Sequence, residues 1–403
     1  MQRRCNDSTQ TALSYCLKQQ LDGIGRTNIA ARAAYWGYRS RMRILFALPG
    51  FHAQDRGAEV ALLAVARELA RGGDAVTVMG GGAERPGEPY RFVHVPIVDR
   101  RKFERAPHFP PFRSDVMWED ATFGAGMLAR YSPKDFDVAI TCNFPFTHLA
   151  LRRPTFGAAP LQIFVTQNGD WAARSDKAEF RLFHCDGLVC TNPDYQEANR
   201  ERWPTALIPN GIDIARYDGV APDRAGLGLP QGVPIVLMVS AMIDTKRVAD
   251  GIRAVAKLPD AHLVVAGDGP LRAEVDALAA QLLPGRFKRL TLTAPDMPRL
   301  YASADAFLHM SLLESFGNVF VEAMASGLPI VGHDTPRLRW IVGDRDTLCD
   351  TEDLDAVANA LGRALATGRG AQDPRSSDFA WPKIAEKYRA FVTDLLDRRK
   401  AAA

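Results

Sequence analysis

The sequence predicts an α/β protein of two doubly wound, Rossmann-like domains that face each other across a cleft. Its 403 residues exceed what one ordinary hydrophobic core organises, which favours two domains. Short apolar runs of strand length alternate with stretches whose apolar residues recur at helical spacing, as in parallel sheets with crossover helices. A segment rich in Gly, Pro and Ala, residues 217–232, has no such period and separates two of these series.

These patterns place a first domain at residues 42–216, a linker at 217–232 and a second domain at 233–378, followed by an amphipathic helix within 379–403. Residues 1–41 are polar and basic, and they lack the continuous apolar region of a secretory signal. We expect them to form a poorly ordered N-terminal extension. A transit peptide and an upstream start codon are the alternatives.

Charge and cysteine content exclude several classes of protein. The net charge is +3, but residues 1–41 hold seven Lys or Arg against two Asp, so the remaining chain carries about −2. That balance argues against a nucleic-acid-binding protein. The six cysteines show no zinc or redox spacing and are typical of reduced thiols, so we expect a cytoplasmic location. No apolar run approaches the length of a membrane span.

The first domain begins with a strand at 42–48, a helix at 58–71 and a strand at 75–79, and further strands are predicted at 137–142, 161–165 and 186–192. Such a parallel unit binds ligands at the carboxyl ends of its strands. No G-x-G-x-x-G lies between the first strand and the first helix, which argues against a dinucleotide-dependent oxidoreductase.

In the second domain, strands are predicted at 233–239, 261–266, 290–293 and 306–310, and the last of them leads into the most informative stretch. A break at 314–317 is followed by a helix over 318–326 and a strand at 328–331. Gly317 and Asn318 thus lie at a helix N-terminus just past the carboxyl end of a strand. Free N–H groups and the helix dipole favour a phosphate there.

Two acids flank this predicted phosphate site, Glu314 before the helix and Glu322 in its early turns. Carboxylates repel a phosphate placed between them, but they accept strong hydrogen bonds from sugar hydroxyls. A phosphate with hydroxyl groups on either side describes a nucleotide sugar.

The segment from Glu314 reads E-S-F-G-N-x-x-x-E-A-M-A-x-G-x-P and resembles the signature of the retaining GT-B glycosyltransferases of group 1, or family 4. The resemblance covers nearly all of residues 42–396 and is strongest in the second domain. It implies that Glu314 binds the transferred sugar and Glu322 the ribose, with Phe316, Gly317 and Asn318 in the donor site. The helix within 379–403 resembles the family helix that crosses back to the first domain.

The resemblance also implies which cations hold the donor diphosphate. Lys246 aligns with the family's lysine, whereas Ala241 stands where an arginine is usual. We therefore expect Arg247 to supply the second cation. Lys246, Arg247 and Glu314 are the predicted catalytic residues.

Further donor contacts are implied by position. Gly57 lies in Arg56-Gly57-Ala58-Glu59, which resembles the family's Gly-Gly-Ala-Glu. Either Gln167 or Asn168 stands where many relatives have a histidine, and we take it to be Gln167. An amide cannot act as a base, so Gln167 is assigned a positioning role. The other implied donor-binding residues are Ser240, Gly267, Asp268 and Thr293.

The resemblance implies a reaction that moves a hexosyl unit from a UDP- or GDP-linked sugar to an acceptor hydroxyl with retention of configuration, and that requires no metal or other cofactor. The acceptor is a glycan or is lipid-linked, and the product is a polysaccharide, glycolipid or other glycoconjugate. A basic, aromatic loop at 100–113 corresponds to the family's acceptor-facing region. It favours either an anionic or lipid-linked acceptor, with peripheral association at the inner membrane surface, or simply a solvated loop.

Two alternatives to this function belong to different classes. One is a phosphorylase or epimerase on the same fold, and the other is a non-catalytic nucleotide-sugar-binding protein. The D-x-D pattern at 344–346 is interpreted as a surface loop rather than a metal site.

Overall fold

The computed structural model describes residues 41–153, 159–175, 177–312, 314 and 316–402. The expected extension at residues 1–41 therefore lies outside the described residues, except for Arg41. The strands are β1 (Arg43–Ala47), β2 (Ala75–Gly80), β3 (Arg91–His94), β4 (Val138–Thr141), β5 (Leu161–Val165), β6 (Gly187–Cys190), β7 (Thr205–Leu207), β8 (Ile235–Val239), β9 (His262–Ala266), β10 (Phe287–Leu290), β11 (Ala306–His309), β12 (Ile330–His333) and β13 (Leu348–Cys349).

Helices connect these strands. They are α1 (Gly57–Arg71), α2 (Asp115–Leu128), α3 (Phe146–Leu151), α4 (Trp171–Arg174), α5 (Pro193–Asn199), α6 (Val248–Ala256), α7 (Arg272–Leu282), α8 (Met297–Ala302), α9 (Asn318–Ala325), α10 (Pro336–Val342), α11 (Leu354–Thr367) and α12 (Trp381–Ala402). Among the described residues, no helix is both long and apolar enough to cross a membrane.

The first domain holds a parallel sheet with the strand order β3-β2-β1-β4-β5-β6-β7. Its central strands are apolar on both faces because helices cover both sides, and Phe46 and Ile140 are fully buried. β1 and β4 are neighbours although β2 and β3 lie between them in sequence. A crevice opens at the carboxyl ends of such a strand pair.

The second domain repeats this arrangement with the order β10-β9-β8-β11-β12-β13, again entirely parallel. The predicted fold class is thus confirmed. One predicted strand is misplaced: it was expected at residues 290–293, but the edge strand β10 runs from Phe287 to Leu290, and residues 291–293 are not in a strand. Its half-buried Lys288 and Arg289 hide the strand from a search for apolar runs.

The C-terminal helix α12 packs against the first domain, although the second domain immediately precedes it. Ile384, Tyr388 and Val392 are buried in the same apolar cluster as β1 and α1. Arg389 of this helix forms a buried ion pair with Asp74, which lies just before β2. Residues 217–234, which connect the two sheets, contain neither helix nor strand.

Candidate active site

A cleft of about 1010 Å³ lies between the two domains. Its walls are built where strands of both sheets end: Leu48 to Gly50 after β1, Asn143 after β4, Ser240 after β8 and His309 at the end of β11. These are the two strand pairs, β1/β4 and β8/β11, at which the chain changes direction across each sheet. The topology therefore brings the two expected ligand crevices together into one site.

Glu314 lines the cleft just after β11. Its Oε1 accepts a hydrogen bond from His309 Nε2 at 2.8 Å and also binds Lys246 Nζ, whereas Oε2 has no partner among the described residues. Burial opposes ionisation of this carboxyl, but the His309 hydrogen bond and the Lys246 charge outweigh it and lower the pKa of Glu314 to about 2. Glu314 is therefore a carboxylate with one oxygen fixed and the other available.

Gly317 and Asn318 form the helix N-terminus that the sequence predicted, and both line the cleft. Gly317 has φ 84°, a left-handed conformation, and a Cβ there would lie 2.7 Å from the ring of Phe320. Glycine is thus required both for the backbone conformation and for space. The turn leaves the first N–H groups of α9 without helical partners at the cleft, where an anion can bind.

The other side of the second-domain wall is made by Ser240, Gly267 and Asp268. Ser240 Oγ is buried and has no hydrogen-bond partner among the residues that the structure describes. A Cβ on Gly267 would lie 2.0 Å from the carbonyl oxygen of Ser240, so only glycine allows the ends of β8 and β9 to approach this closely.

The first-domain wall contains Gly57 at the N-terminus of α1 and Gln167 after β5. Gln167 Nε2 donates to Asn210 Oδ1 at 2.6 Å, so its amide orientation is set by a residue 43 positions away. Gly57, Gln167, Ser240, Lys246, Gly267, Asp268, Glu314, Phe316, Gly317 and Asn318 are the predicted site residues that the structure brings to this cleft.

Two family models match the chain, "Glycosyltransferase Family 4" over residues 56–216 and "Glycosyl transferases group 1" over residues 220–376. The chain belongs to the group 1, family 4 glycosyltransferases. The two matches meet at residues 216–220, where the structure passes from the first sheet to the second.

Relatives of this chain include a lipopolysaccharide core biosynthesis glycosyltransferase, LpsE, of Rhizobium meliloti (strain 1021). It is 29% identical over 207 residues, which are 50% of this chain and 59% of LpsE. A D-inositol 3-phosphate glycosyltransferase of Mycolicibacterium gilvum (strain PYR-GCK) is 35% identical over 193 residues, 43% of each chain. The chain thus spans about half the length of the curated relatives it matches.

Solved structures share the fold over most of this chain. Trehalose-6-phosphate synthase OtsA matches with a TM-score of 0.67 and 14% identity, over 88% of this chain and 98% of its own. HepE of Anabaena, solved in complex with UDP and glucose, matches with a TM-score of 0.59 and 19% identity, over 88% of this chain and 100% of its own.

Arg247, the predicted second cation, is not among the residues that line the cleft. Its guanidinium donates to Asp250 Oδ2 at 2.8 Å and to the carbonyl oxygen of Thr351 at 3.0 Å. Arg247 has φ 51° between a 3₁₀ turn and α6, and this backbone conformation directs its side chain toward the loop after β13. In this arrangement Arg247 joins parts of the second domain, and its role as the second cation stays a prediction.

Two other predicted donor-binding residues also lie outside the residues that line the cleft. Glu322 accepts a hydrogen bond from the Tyr301 hydroxyl at 2.8 Å, and burial raises its pKa. Thr293 is exposed and its hydroxyl donates to Asp296 Oδ2 at 2.8 Å, because β10 ends at Leu290 and Thr293 lies at the start of the turn that precedes α8. In both cases the group that was predicted to bind the nucleotide forms a hydrogen bond with a neighbouring side chain.

Sequence reasoning missed several residues of the site. His309 was placed in the strand before Glu314 but was not assigned a role, although a polar residue at the end of a buried strand is a usable signal. Arg337 of α10 binds the backbone carbonyl of Glu314 and pairs with Asp194 of α5, a contact that joins the two domains. No sequence signal marks that pair, since its members are 143 residues apart. Within the described residues, no group of three or more His, Cys, Asp or Glu could hold a metal ion.

Proposed function

We propose that the protein transfers a hexosyl unit from a nucleoside diphosphate sugar to an acceptor hydroxyl, with retention of anomeric configuration and without a required metal. One observation carries this proposal: Glu314, Lys246 and the N-terminus of α9 share one interdomain cleft. A carboxylate, a cation and free N–H groups suit the sugar, the diphosphate charge and the phosphate oxygens of such a donor.

In the proposed complex, the phosphate oxygens bind the N–H groups of Gly317 and Asn318 and the ammonium of Lys246. Because Lys246 also binds Glu314 Oε1, the ammonium lies between the sugar-binding carboxylate and the phosphates. Glu314 Oε2 then accepts a hydrogen bond from a hydroxyl of the transferred sugar. The N–H groups and the ammonium stabilise the charge that develops on the departing diphosphate.

The proposed chemical step uses no protein base. The bond between the anomeric carbon and the β-phosphate oxygen breaks, and the acceptor oxygen bonds to the anomeric carbon on the same face. The acceptor proton passes to the departing phosphate, which leaves as the nucleoside diphosphate. Gln167, fixed by Asn210, is proposed to hold a sugar hydroxyl while this occurs.

A UDP-linked donor has the most support, since HepE, which shares this fold, was solved with UDP and glucose and with UDP-glucose. The relatives named for lipopolysaccharide core and inositol phosphate support a role in glycoconjugate biosynthesis. The proposed acceptor is accordingly a glycan or a lipid-linked sugar.

The test begins with thermal shift of the purified protein against UDP-, GDP- and ADP-linked sugars. A stabilising donor is then incubated with candidate acceptors in the presence of EDTA, and the new linkage is assigned by NMR. We expect product of retained configuration, and weaker donor binding in Lys246→Met than in Lys257→Met, an ion-paired lysine that does not line the cleft. Epimerised donor, or sugar phosphate formed from inorganic phosphate, would instead support the alternative activities, and no stabilisation by any donor would refute the proposal.

A further inference from the structure

The first-domain wall contains a carboxylate that the proposed donor chemistry does not use. Glu59, in the first turn of α1, lines the cleft and is only 6% exposed. Its carboxylate accepts no hydrogen bond from any residue that the structure describes, and its charged neighbour is Arg56, with Nε 3.7 Å from Oε1. These carboxylate oxygens can therefore accept hydrogen bonds from a ligand in the cleft.

The position of Glu59 is fixed by the turn that follows β1. A Cβ on Gly50 would lie 2.0 Å from Glu59 Oε1, so the carboxylate occupies the space that any other residue at position 50 would fill. Gly50 also lines the cleft, at the carboxyl end of the central strand β1. Because Gly50 has no side chain, there is room for the Glu59 carboxylate at the ligand-binding edge of the first sheet.

Charge on the cleft walls discriminates between classes of acceptor. The cations among the described lining residues are Arg56, Arg100 and Lys246, and each has a carboxylate partner: Glu59, Glu119 and Glu314 respectively.

Arg100 belongs to the basic loop at 100–113, from which an anionic acceptor was predicted, and its side chain lines the cleft. Its guanidinium binds Glu119 Oε2 at 2.5 Å and its backbone N–H binds Oε1 of the same residue. The charge that this loop presents to the cleft is thus neutralised, and an anionic acceptor would find no unpaired cation among the described residues of the first-domain wall.

We propose that Glu59 determines acceptor specificity, and that the acceptor is an uncharged sugar whose hydroxyls donate to the Glu59 carboxylate, rather than a phosphorylated one. This rests on the proposed function, because it assigns the second substrate of the same cleft. A neutral sugar supplies the hydrogen-bond donors that Glu59 lacks, whereas a phosphate is repelled by it.

The test measures acceptor and donor binding separately. With the protein saturated by UDP, saturation-transfer NMR compares matched sugars, glucose with glucose 6-phosphate and mannose with mannose 6-phosphate. We expect the neutral member of a pair to bind better. In Glu59→Gln its dissociation constant should rise roughly ten- to a hundredfold, the loss of a hydrogen bond to a charged group. The affinity for UDP, measured by calorimetry, should not change.

Two further variants separate this role from a folding defect. Gly50→Ala keeps the glutamate but displaces its carboxylate, and it should give the same selective loss of acceptor affinity. Glu68→Gln, on the same helix but outside the residues that line the cleft, should behave as wild type, and all variants are compared by thermal melting.

Three results would overturn the proposal: preference for the phosphorylated sugars, failure of both members of each pair to bind, or a Glu59→Gln variant that loses UDP rather than acceptor. Failure of the wild-type protein to bind any nucleoside diphosphate is a separate result, because it removes the proposed function itself.

Discussion

At the scale of single residues, the site depends on the different roles of the two carboxylate oxygens of Glu314. His309 and Lys246 both bind Oε1, so the protein fixes the carboxylate through one oxygen and leaves Oε2 for substrate. His309 is 2% exposed and its ring packs edge-on against Phe320 of α9 at 4.9 Å between centroids. The histidine thus couples the orientation of Glu314 to the helix that is proposed to bind phosphate.

Replacing Glu314 by Gln should keep the size of the side chain while removing its charge. Because the proposed contact is to the transferred sugar, we expect kcat to fall about a hundredfold, in the range seen when one positioned transition-state contact is lost. The affinity for UDP should change little, which calorimetry can measure. Glu352→Gln, an exposed site outside the cleft, is the control. Equal losses of donor affinity and turnover would contradict a contact to the sugar.

The pKa of Glu314 predicts a dependence of stability on pH. Its folded-state pKa of about 2 lies below the ordinary value of 4.5, so its interactions stabilise the fold above pH 4.5 and this contribution is lost as pH falls toward 2. The difference in unfolding free energy between wild type and Glu314→Gln should therefore be constant near neutrality and shrink in acid. Urea denaturation at a series of pH values measures it. A difference that grows in acid would show that the sign is wrong.

Arg247 shows that a basic residue at a suitable sequence position need not line the cleft. Its guanidinium binds Asp250 and the loop at Thr351, so Arg247→Ala should lower the free energy of unfolding by about 1–3 kcal/mol. Donor affinity should remain that of wild type, in contrast to Lys246→Met. Chemical denaturation and calorimetry on the same preparations separate the two effects. A stable Arg247→Ala protein that binds donor poorly would restore the original prediction.

At the scale of elements, the turn that begins α9 sets the geometry of the predicted anion site. Gly317→Ala places a Cβ 2.7 Å from Phe320 and imposes a left-handed conformation on a residue that resists it. We expect donor affinity to fall about tenfold because the first N–H groups of α9 move. Gly362→Ala, in α11 with open space around it, should be neutral or stabilise by about 0.5–1 kcal/mol. Unchanged donor affinity in Gly317→Ala would argue against phosphate binding at this terminus.

The sequence predicted those elements whose evidence is local. Central strands such as β8 are continuous apolar runs, and the helix after Glu314 has both a period and a glycine at its start. The edge strand β10 was displaced in the prediction because its charged side chains have partners elsewhere: Lys288 binds the carbonyl oxygen of Gly228 and Arg289 binds Asp276.

The positions of the site residues were likewise predictable only where the evidence in the sequence is local. Residues that follow strand ends, such as Ser240 and Gln167, lie in the cleft as expected, because the topology places strand ends together. Glu322 and Thr293 differ because hydrogen bonds to Tyr301 and Asp296 decide where their side chains lie. The importance of Glu59 depends on the missing side chain of Gly50, a contact that no periodicity reveals.

At the scale of the whole molecule, two of the contacts between the domains, among the residues that the structure describes, join distant parts of the chain. The helix α12 follows the second domain and packs into the first-domain core, where Arg389 and Asp74 form a buried ion pair. On the other side, Arg337 of the second domain pairs with Asp194 of the first and lies over the ring of Tyr195, 6.0 Å from its centroid. Only the second connection reaches the site, because Arg337 also binds the carbonyl oxygen of Glu314.

Removing the charge of Asp194 tests whether this connection serves the reaction. Asp194 is largely exposed, so in Asp194→Asn the lost ion pair should lower stability by no more than about 1 kcal/mol. Arg337 would nevertheless lose the partner that fixes it against the Glu314 backbone, and we expect kcat to fall several-fold with little change in UDP affinity. The control is Asp344→Asn, which removes an exposed partner of Arg339 on the same helix without touching the first domain. Equal kcat values in the two variants would show that the Arg337–Asp194 pair does not position Glu314. If only Asp194→Asn has a lowered kcat, and high salt lowers the kcat of the wild-type protein in the same way, closure of the domains and orientation of the Glu314 carboxylate are linked through Arg337.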